Sequence, residues 1–376
     1  MLIPMHASIK HEILLSILLG MATLLAVYIG VKQLTTLNAL QWLLTADGLW
    51  FFVCWQLWRR AELNRASEDA PLYPRLGWAN RLTLLRGGLI ALTGGFLFQP
   101  QAVGLMAWIP GVLYCIAAIL DRMDGYVARR SKHTSLLGNE LDTVYDALGL
   151  LVAPLLAVGY GKLHWSFLLV SAAYYIFVWG LYWRRRHHLP VYPLMPSMLR
   201  RTLAGFQMGF VAFILLPSFH PPLTMIIGVA FMLPILLGFI VDWLVVSGRI
   251  QSNTSNTQFF NRLALISHTI FQPLLRILLL IAMVLFIFIE TPNATIFVTG
   301  SLLVFAGAIL LGFMGRVAAL GLLIMVTFSH GDEILNAITV TIIFTSAWLM
   351  LLGTGRFSLW QWDDRWVNRR DGEDNS

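Results

Sequence analysis

Charged side chains are scarce in this sequence. Only 12% of the 376 residues are Asp, Glu, Lys or Arg, whereas 58% are hydrophobic. A typical soluble domain carries about 25% charged residues, so the composition excludes an ordinary soluble globular protein. It predicts an all-α, polytopic integral membrane protein whose apolar side chains face lipid and neighbouring helices.

Cysteine is also nearly absent, because Cys54 and Cys115 are the only two. They lie in separate apolar runs without C-x-x-C spacing, which excludes a disulfide framework. The first apolar run lacks a convincing cleavage site and is expected to be a retained span. The net charge of +7 comes from basic residues between apolar runs, where they meet anionic headgroups. Membrane lipids, rather than nucleic acid, are therefore the expected partners.

Twelve apolar runs predict about twelve transmembrane helices, although several are short for a full crossing. Arginine is concentrated in every second connection, whereas the alternate connections carry only Lys32 and Lys162. The positive-inside rule therefore predicts two cytoplasmic termini, in the inner membrane if the source is bacterial. The runs are 13–31, 38–58, 83–99, 103–121, 140–160, 165–183, 203–218, 222–246, 264–289, 294–313, 316–328 and 334–352.

Four aspartates flank the connection between the fourth and fifth runs, on the predicted cytoplasmic side. Asp121 and Asp124 stand three apart at the end of one run, and Asp142 and Asp146 stand four apart at the start of the next. Such spacings place residues on one helix face, so antiparallel helices would bring the carboxylates together. Carboxylates within a membrane are costly and tend to be functional. An all-oxygen cage suits hard divalent ions, and two ions about 3.5–4 Å apart can promote displacement at phosphorus.

The residues around these aspartates follow the spacing D-x2-D-G-x2-A-R-x8-G-x3-D-x3-D. Eight fixed positions in 26 residues are far more specific than a lone glycine motif. The alternative is a loop whose acidic residues pair with arginines of the same stretch, Arg122, Arg129 and Arg130. On this pattern the chain resembles the CDP-alcohol phosphatidyltransferase family. The matching residues are Asp121, Asp124, Gly125, Ala128, Arg129, Gly138, Asp142 and Asp146.

The resemblance implies a metal site and a catalytic base. In the family, aspartates matching Asp121, Asp124, Asp142 and Asp146 hold two Mg²⁺ or Mn²⁺ ions that bind the diphosphate of a CDP-linked substrate. The residue matching Asp146 also deprotonates the attacking hydroxyl. No serine, cysteine or histidine nucleophile is then required.

The resemblance also implies contacts to the CDP moiety. Gly125, Ala128, Arg129 and Gly138 would lie around it, where small side chains let the backbone approach a ligand. The segment 79–86 matches the family's Asn-x-x-Thr-x-x-Arg helix start. This match makes Asn80 and Thr83 further cytidine or phosphate contacts.

Two arginines stand at the start of the fifth family span. Family members that use phosphorylated alcohols place basic residues in this region, and a guanidinium can bind phosphate oxygens in a bidentate way. Arg200 and Arg201 are therefore expected to bind the acceptor phosphate. Topology alone could also select an arginine pair here.

The reaction implied is transfer of a phosphatidyl group from CDP-diacylglycerol to an alcohol, with release of CMP, in phospholipid biosynthesis. Glycerol phosphate and inositol phosphate are candidate acceptors. The alternatives are a CDP-choline or CDP-ethanolamine type of phosphotransferase acting on diacylglycerol, and a non-catalytic membrane scaffold. Family members are often homodimers, which makes a homodimer the candidate assembly.

The predicted organisation has five parts. A two-span hairpin (1–60) precedes a six-helix transferase domain (61–246), in which residues 60–82 could form an interfacial amphipathic helix or a plain linker. A polar linker (247–263) follows. Residues 264–358 resemble a DoxX-type four-helix membrane module through a closing Gly-x-Gly-Arg-x-Ser segment, and residues 359–376 form a cytoplasmic tail.

Overall fold

The computed structural model describes residues 7–194, 198–250, 262, 264–290, 295–330 and 336–368. Within these ranges the chain is helical, with one isolated parallel bridge between Phe313 and Trp360. The predicted all-α class is confirmed.

Each of the twelve apolar runs contains a helix. In chain order these are Ala7–Leu34 (α1), Ala39–Arg60 (α2), Gly77–Gly94 (α3), Ile109–Arg130 (α4), Leu136–Gly159 (α5), Leu168–Arg186 (α6), Met198–Leu215 (α7), Leu223–Val246 (α8), Ala264–Ile289 (α9), Ile296–Leu311 (α10), Gly315–His330 (α11) and Ala337–Leu352 (α12). A short helix, Trp362–Asn368 (α13), follows.

Six helical segments in the described ranges are long and apolar enough to cross a membrane by themselves. They are Ser8–Leu34, Gly104–Arg130, Leu136–Gly159, Trp165–Arg186, Leu223–Val246 and Ala264–Ile289. Three more apolar helices, α10 to α12, are shorter. The chain is thus a polytopic integral membrane protein, as the composition predicted.

The described residues form two compact units. The first contains residues 7–163 together with Met208–Phe219, and the second contains His164–Gln207 together with residues 220–368. The five-part organisation and the DoxX-like module remain predictions.

In the first unit, α3 packs against both α4 and α5. Pro110 stands in the first turn of α4, where its missing N–H costs no helical hydrogen bond. The side chain of Ser135 caps α5 by accepting a hydrogen bond from the Gly138 N–H at 3.0 Å. These local signals fix where the two helices that carry the four aspartates begin.

The segment between α2 and α3 is not an amphipathic helix, so that alternative was wrong. After a single turn at Ala61–Leu63 the chain is irregular until Gly77, because Pro71 and Pro74 interrupt any helix. It is nevertheless tied to the connection between α4 and α5. The Leu136 N–H donates to the Arg65 carbonyl at 2.9 Å, and the Tyr73 ring stacks on His133 at 3.9 Å.

Helix α1 contacts the start of α3 through Glu12. This carboxylate accepts a hydrogen bond from the Leu76 N–H at 3.1 Å and pairs with Arg81 at 3.2 Å. A negative charge at a helix N-terminus is favourable because it meets the positive end of the helix dipole. The N-terminal hairpin is therefore joined to the helix that enters the aspartate cluster.

In the second unit, two buried arginines contact the C-terminal end of α12 and the loop that follows it. Arg276 donates to the carbonyls of Thr354 at 3.2 Å and Arg356 at 3.1 Å. Arg316 donates to the carbonyls of Met350 at 2.7 Å and Leu351 at 2.9 Å. Arg316 also pairs with Asp364, so backbone carbonyls and one carboxylate bind these guanidinium groups, which gives both arginines a structural role.

The pH dependence of stability should report on Lys162, in the loop between α5 and α6. Its ammonium group donates to the Leu216 carbonyl at 2.5 Å, and burial lowers its pKa from 10.5 to about 8. Between these values the unfolded chain binds a proton that the folded chain does not, so stability should increase as pH rises from 8 towards 10.5. The pKa difference sets an upper limit of about 3 kcal/mol on this gain in stability, so we expect the melting temperature to rise by several degrees. Lys162→Met should lose this increment, and an unchanged slope in the variant would refute the assignment.

Candidate active site

The centre of the site is a buried arginine surrounded by the four aspartates. Arg86 lies on α3, and its side chain is 0% exposed. Its Nη1 contacts Asp121 and lies 3.5 Å from Asp124. Its Nη2 lies 2.9 Å from Asp142 and 3.2 Å from Asp146. The aspartates converge as their spacing predicted, around a guanidinium from a third helix.

A stripe of buried polar residues along α3 makes this arrangement possible. Asn80, Thr83 and Arg86 recur every three residues and therefore lie along one side of the helix. The Thr83 hydroxyl donates to Asp124 at 2.8 Å, and Arg86 also donates to the backbone carbonyl of Asp142 at 3.1 Å. The stripe therefore contacts both α4 and α5.

The carboxylates differ in their access to solvent. Asp121, Asp142 and Asp146 have side chains that are 30%, 47% and 37% exposed, whereas Asp124 is 7% exposed. Arg86 approaches from the protein interior and uses only part of the acceptor capacity of each carboxylate. The outer oxygens of three aspartates therefore remain accessible to a ligand.

These three aspartates form a geometric cation site. Each offers one oxygen, and the three oxygens lie within 4.8 Å of one another. Asp146 Oδ1 is inaccessible to solvent and accepts no hydrogen bond, although it has the ionic contact with Arg86. One guanidinium cannot neutralise four carboxylates, so the donor set and its excess negative charge fit a hard divalent ion. Asp124 lies outside this close group and instead bonds Thr83.

The predicted CDP contacts fall into two environments. The nearest atoms to a Cβ atom added at Gly125 would be those at the flexible end of the Arg129 side chain, at 3.2 Å. A Cβ atom at Gly138 would lie 2.7 Å from Asn80 Oδ1. Close helix packing therefore already explains the glycine at 138, whereas the glycine at 125 leaves accessible space beside Arg129. Ala128, one turn further along α4, is partly exposed.

Asn80 is engaged within the protein. Its Nδ2 donates to Asn64 Oδ1 at 3.1 Å, to the Leu76 carbonyl at 2.8 Å and to Ser135 Oγ at 3.1 Å. These bonds join the start of α3 to the start of α5. The roles of Asn80 and Thr83 at the CDP moiety remain predictions.

Arg200 and Arg201 belong to α7 in the second unit. Arg200 forms a bidentate pair with Asp242 on α8, with both N–O distances at 2.7 Å. Arg201 is exposed. Their role at an acceptor phosphate also remains a prediction.

Sequence reasoning missed the role of Arg86. The residue was visible as the last position of the Asn-x-x-Thr-x-x-Arg pattern, but its partners are at least 35 residues away in sequence. The signal that could have identified it is the spacing to Asn80 and Thr83, which places a charge on the same face as two polar side chains.

Removing Arg86 should destabilise the folded protein. Arg86→Met leaves the carboxylates without their buried counter-charge, and loss of one partner of a buried ionic group costs about 3–5 kcal/mol. The measurement is the free energy of unfolding in detergent. Arg81→Met is the matched control on the same helix, because its pair with Glu12 is partly exposed and should contribute less than about 1 kcal/mol.

The same experiment can test whether charge is the cause. Asp124→Asn in the Arg86→Met background removes one buried negative charge and keeps an acceptor for Thr83. It should restore part of the lost stability. Equal stabilities of the Arg86→Met and Arg81→Met proteins would contradict the electrostatic role.

Comparisons with known proteins bear on the identity of the site. A sequence model described as CDP-alcohol phosphatidyltransferase matches residues 76–305. The match continues past the predicted domain end at 246, through the polar segment and into α10. Neither the curated proteins nor the solved structures contain a match to this chain.

The matched region covers more than half of the chain and includes all of α3, α4 and α5. The family comprises membrane enzymes that use divalent metal and transfer a phosphate-linked group from a CDP-alcohol to an alcohol in lipid synthesis. The resemblance predicted from the aspartate pattern is confirmed: the chain belongs to the CDP-alcohol phosphatidyltransferase family.

Proposed function

We propose that the protein transfers the phosphatidyl group of CDP-diacylglycerol to a phosphorylated alcohol and releases CMP. The main support is the set of three accessible carboxylates beside a buried guanidinium, at the position of the family's aspartate motif. Glycerol phosphate and inositol phosphate are the first acceptors to consider.

Asp121, Asp142 and Asp146 are the residues that would hold divalent metal, with Asp124 as the fourth ligand expected from the motif. Bound Mg²⁺ or Mn²⁺ would neutralise the diphosphate and stabilise negative charge on the departing CMP. Two ions are expected from the family pattern. The excess negative charge of the carboxylate cluster supports a requirement for at least one.

The chemical step needs one proton acceptor. As the acceptor oxygen forms its bond to the phosphatidyl phosphorus, the phosphoanhydride bond to CMP breaks and CMP leaves with the electron pair. Asp146 takes the proton from the attacking hydroxyl. Its partly exposed side chain on the solvent side of Arg86 supports this assignment.

The remaining side chains would bind and orient the substrate. The space beside Gly125 supports a CDP contact there, with Ala128, Arg129 and Gly138 nearby in the motif and Asn80 and Thr83 on α3. Positioning of this kind can supply a large part of the rate enhancement in a displacement that needs no covalent enzyme intermediate.

The site is proposed to face the cytoplasm. The arginine-rich connections, including the one between α4 and α5, support this orientation because basic loops are retained on the cytoplasmic side. Both termini would then be cytoplasmic, and a CDP-linked substrate made in the cytosol would reach the carboxylates directly.

The first test is CMP release by the purified protein. The reaction contains CDP-diacylglycerol, Mg²⁺ or Mn²⁺, and one of glycerol phosphate, inositol phosphate or serine. We expect release that depends on metal and on one phosphorylated acceptor, and a loss of about 10²–10⁴-fold in kcat for Asp146→Asn.

Two other outcomes would change the proposal. Release with serine alone would retain the phosphatidyl transfer and reject the phosphorylated acceptor. No release from CDP-diacylglycerol, together with release from CDP-choline or CDP-ethanolamine in the presence of diacylglycerol, would reverse the roles of donor and acceptor.

The acceptor arginines can be tested separately. Arg201→Gln should raise KM for the phosphorylated acceptor by about tenfold, since a charge-assisted hydrogen bond contributes about 1.5–3 kcal/mol. KM for CDP-diacylglycerol should stay unchanged. Arg185→Gln is the matched control, because Arg185 is exposed and lies in the last turn of α6, between Arg184 and Arg186. Identical acceptor KM values in the two variants would remove Arg201 from the site.

A further inference from the structure

Helix α2 lies before the family-matched region, yet it contacts α3 and α5, two of the three helices that carry the site. The match begins at residue 76, whereas α2 ends at Arg60. Within the first unit, α2 packs against α3 and also against α5. Helix α2 therefore packs directly on α3, which carries Arg86, and on α5, which carries Asp146.

Two glycine pairs, one within α3 and one at its C-terminal end, allow α2 to approach closely. Gly87-Gly88 and Gly94-Gly95 stand seven residues apart and so share one face. A Cβ atom at Gly95 would lie 2.5 Å from the Trp42 indole, and one at Gly94 would collide with the Leu49 side chain. Large side chains of α2 therefore occupy the space that these glycines leave, as small residues allow when membrane helices pack closely.

Val53 of α2 stands where three helices meet. A Cβ atom at Gly87 would lie 2.9 Å from Val53 Cγ1 and 3.2 Å from the Tyr145 ring. The Tyr145 hydroxyl donates to the Val53 carbonyl at 2.9 Å, and the Tyr145 side chain is fully buried. Val53, Gly87 and Tyr145, which we call the α2 junction, thus join α2, α3 and α5.

The α2 junction is adjacent in sequence to the reacting groups. Gly87 follows Arg86, and Tyr145 precedes Asp146. Consecutive helical residues point about 100° apart, so the junction contacts one side of each helix while the charged side chains project from another. Any rotation or sliding of α5 at Tyr145 must therefore move Asp146 relative to Arg86.

We propose that α2 is a positioning element of the active site and that Tyr145 is a positioning residue for Asp146. The hydrogen bond from Tyr145 to Val53 fixes how α5 is rotated and how far it is shifted along its axis relative to α2. The glycine at 87 fixes how closely α3 approaches α2. Together they set the 3.2 Å approach of Asp146 to Arg86 and hence the spacing of the carboxylate oxygens. The consequence for catalysis rests on the proposed function, whereas the consequence for metal affinity can be measured without turnover.

The first experiment compares Tyr145, which lies within α5, with Tyr160, which follows the last residue of α5. Tyr145→Phe removes a hydroxyl that donates to Val53. Tyr160→Phe removes a buried hydroxyl that has no hydrogen-bond partner, so it is the matched control. Mn²⁺ binding to the full-length protein is titrated by calorimetry, and kcat and KM are measured for variants that turn over.

We expect Tyr145→Phe to weaken Mn²⁺ binding and lower kcat, each by about three- to tenfold, the equivalent of one net hydrogen bond. The acceptor KM of Tyr145→Phe should match that of the wild type. The Mn²⁺ affinity of Tyr160→Phe should also match that of the wild type. A role in folding alone would lower the melting temperature of Tyr145→Phe and leave its Mn²⁺ affinity unchanged. That result would overturn the proposal.

A second pair of variants tests the packing contact. Gly87→Ala should weaken Mn²⁺ binding because its Cβ atom meets Val53 and Tyr145. Adding Val53→Ala should recover part of the affinity by removing the nearer contact. Gly88→Ala is the neighbouring control, since its Cβ atom would meet Trp50 at an ordinary 3.4 Å. Equal effects of Gly87→Ala and Gly88→Ala, or no recovery with Val53→Ala, would also reject the junction.

Failure of the proposed function would look different. A wild-type protein that binds Mn²⁺ without releasing CMP would reject the reaction but leave the affinity comparison intact. If the wild type binds no Mn²⁺, the coupling between Tyr145 and Asp146 is tested by the free energies of unfolding of Tyr145→Phe, Asp146→Asn and the double variant. Additive effects would refute coupling between the two residues, whereas non-additive effects would support it.

Discussion

The structure of the first unit depends on the compensation of buried charge. Arg86 has no exposed side-chain surface, and an isolated ion at such a position would cost several kcal/mol. Four aspartates from two other helices supply the opposite charge. The same contacts bring together carboxylates that would otherwise repel one another. The ionic cluster is therefore both a packing constraint on α3, α4 and α5 and the source of a negatively charged surface beside them.

Much of this arrangement could be predicted from sequence because it follows local rules. Apolar runs located all twelve helices from α1 to α12, since few soluble-protein patterns produce so many such runs. The spacing of Asp121, Asp124, Asp142 and Asp146 predicted their convergence, because helical periodicity fixes which face each side chain occupies. The family followed from the same short stretch.

The remaining features depend on contacts between distant parts of the chain. Nothing near Arg86 in sequence reveals that its partners lie on α4 and α5. The packing of α2 on the α3 glycines was missed for the same reason, although two glycine pairs seven residues apart are a usable signal. The interfacial helix considered for 60–82 was wrong because its pattern of apolar residues interleaved with charge took no account of Pro71 and Pro74, which prevent helix continuation.

Helix α3 has two faces that make different contacts. One carries the polar stripe that ends at Arg86, and the other carries the glycines up to Gly95 that admit α2. A single inserted or deleted residue between Arg86 and Gly94 would rotate one face relative to the other by about 100°. A point substitution leaves the angle between the two faces unchanged, whereas a change in chain length does not. The stretch from Arg86 to Gly94 is therefore where this fold should be least tolerant of insertions and deletions. This holds even though the residues between Arg86 and Gly94 carry no charge that could contact the aspartates.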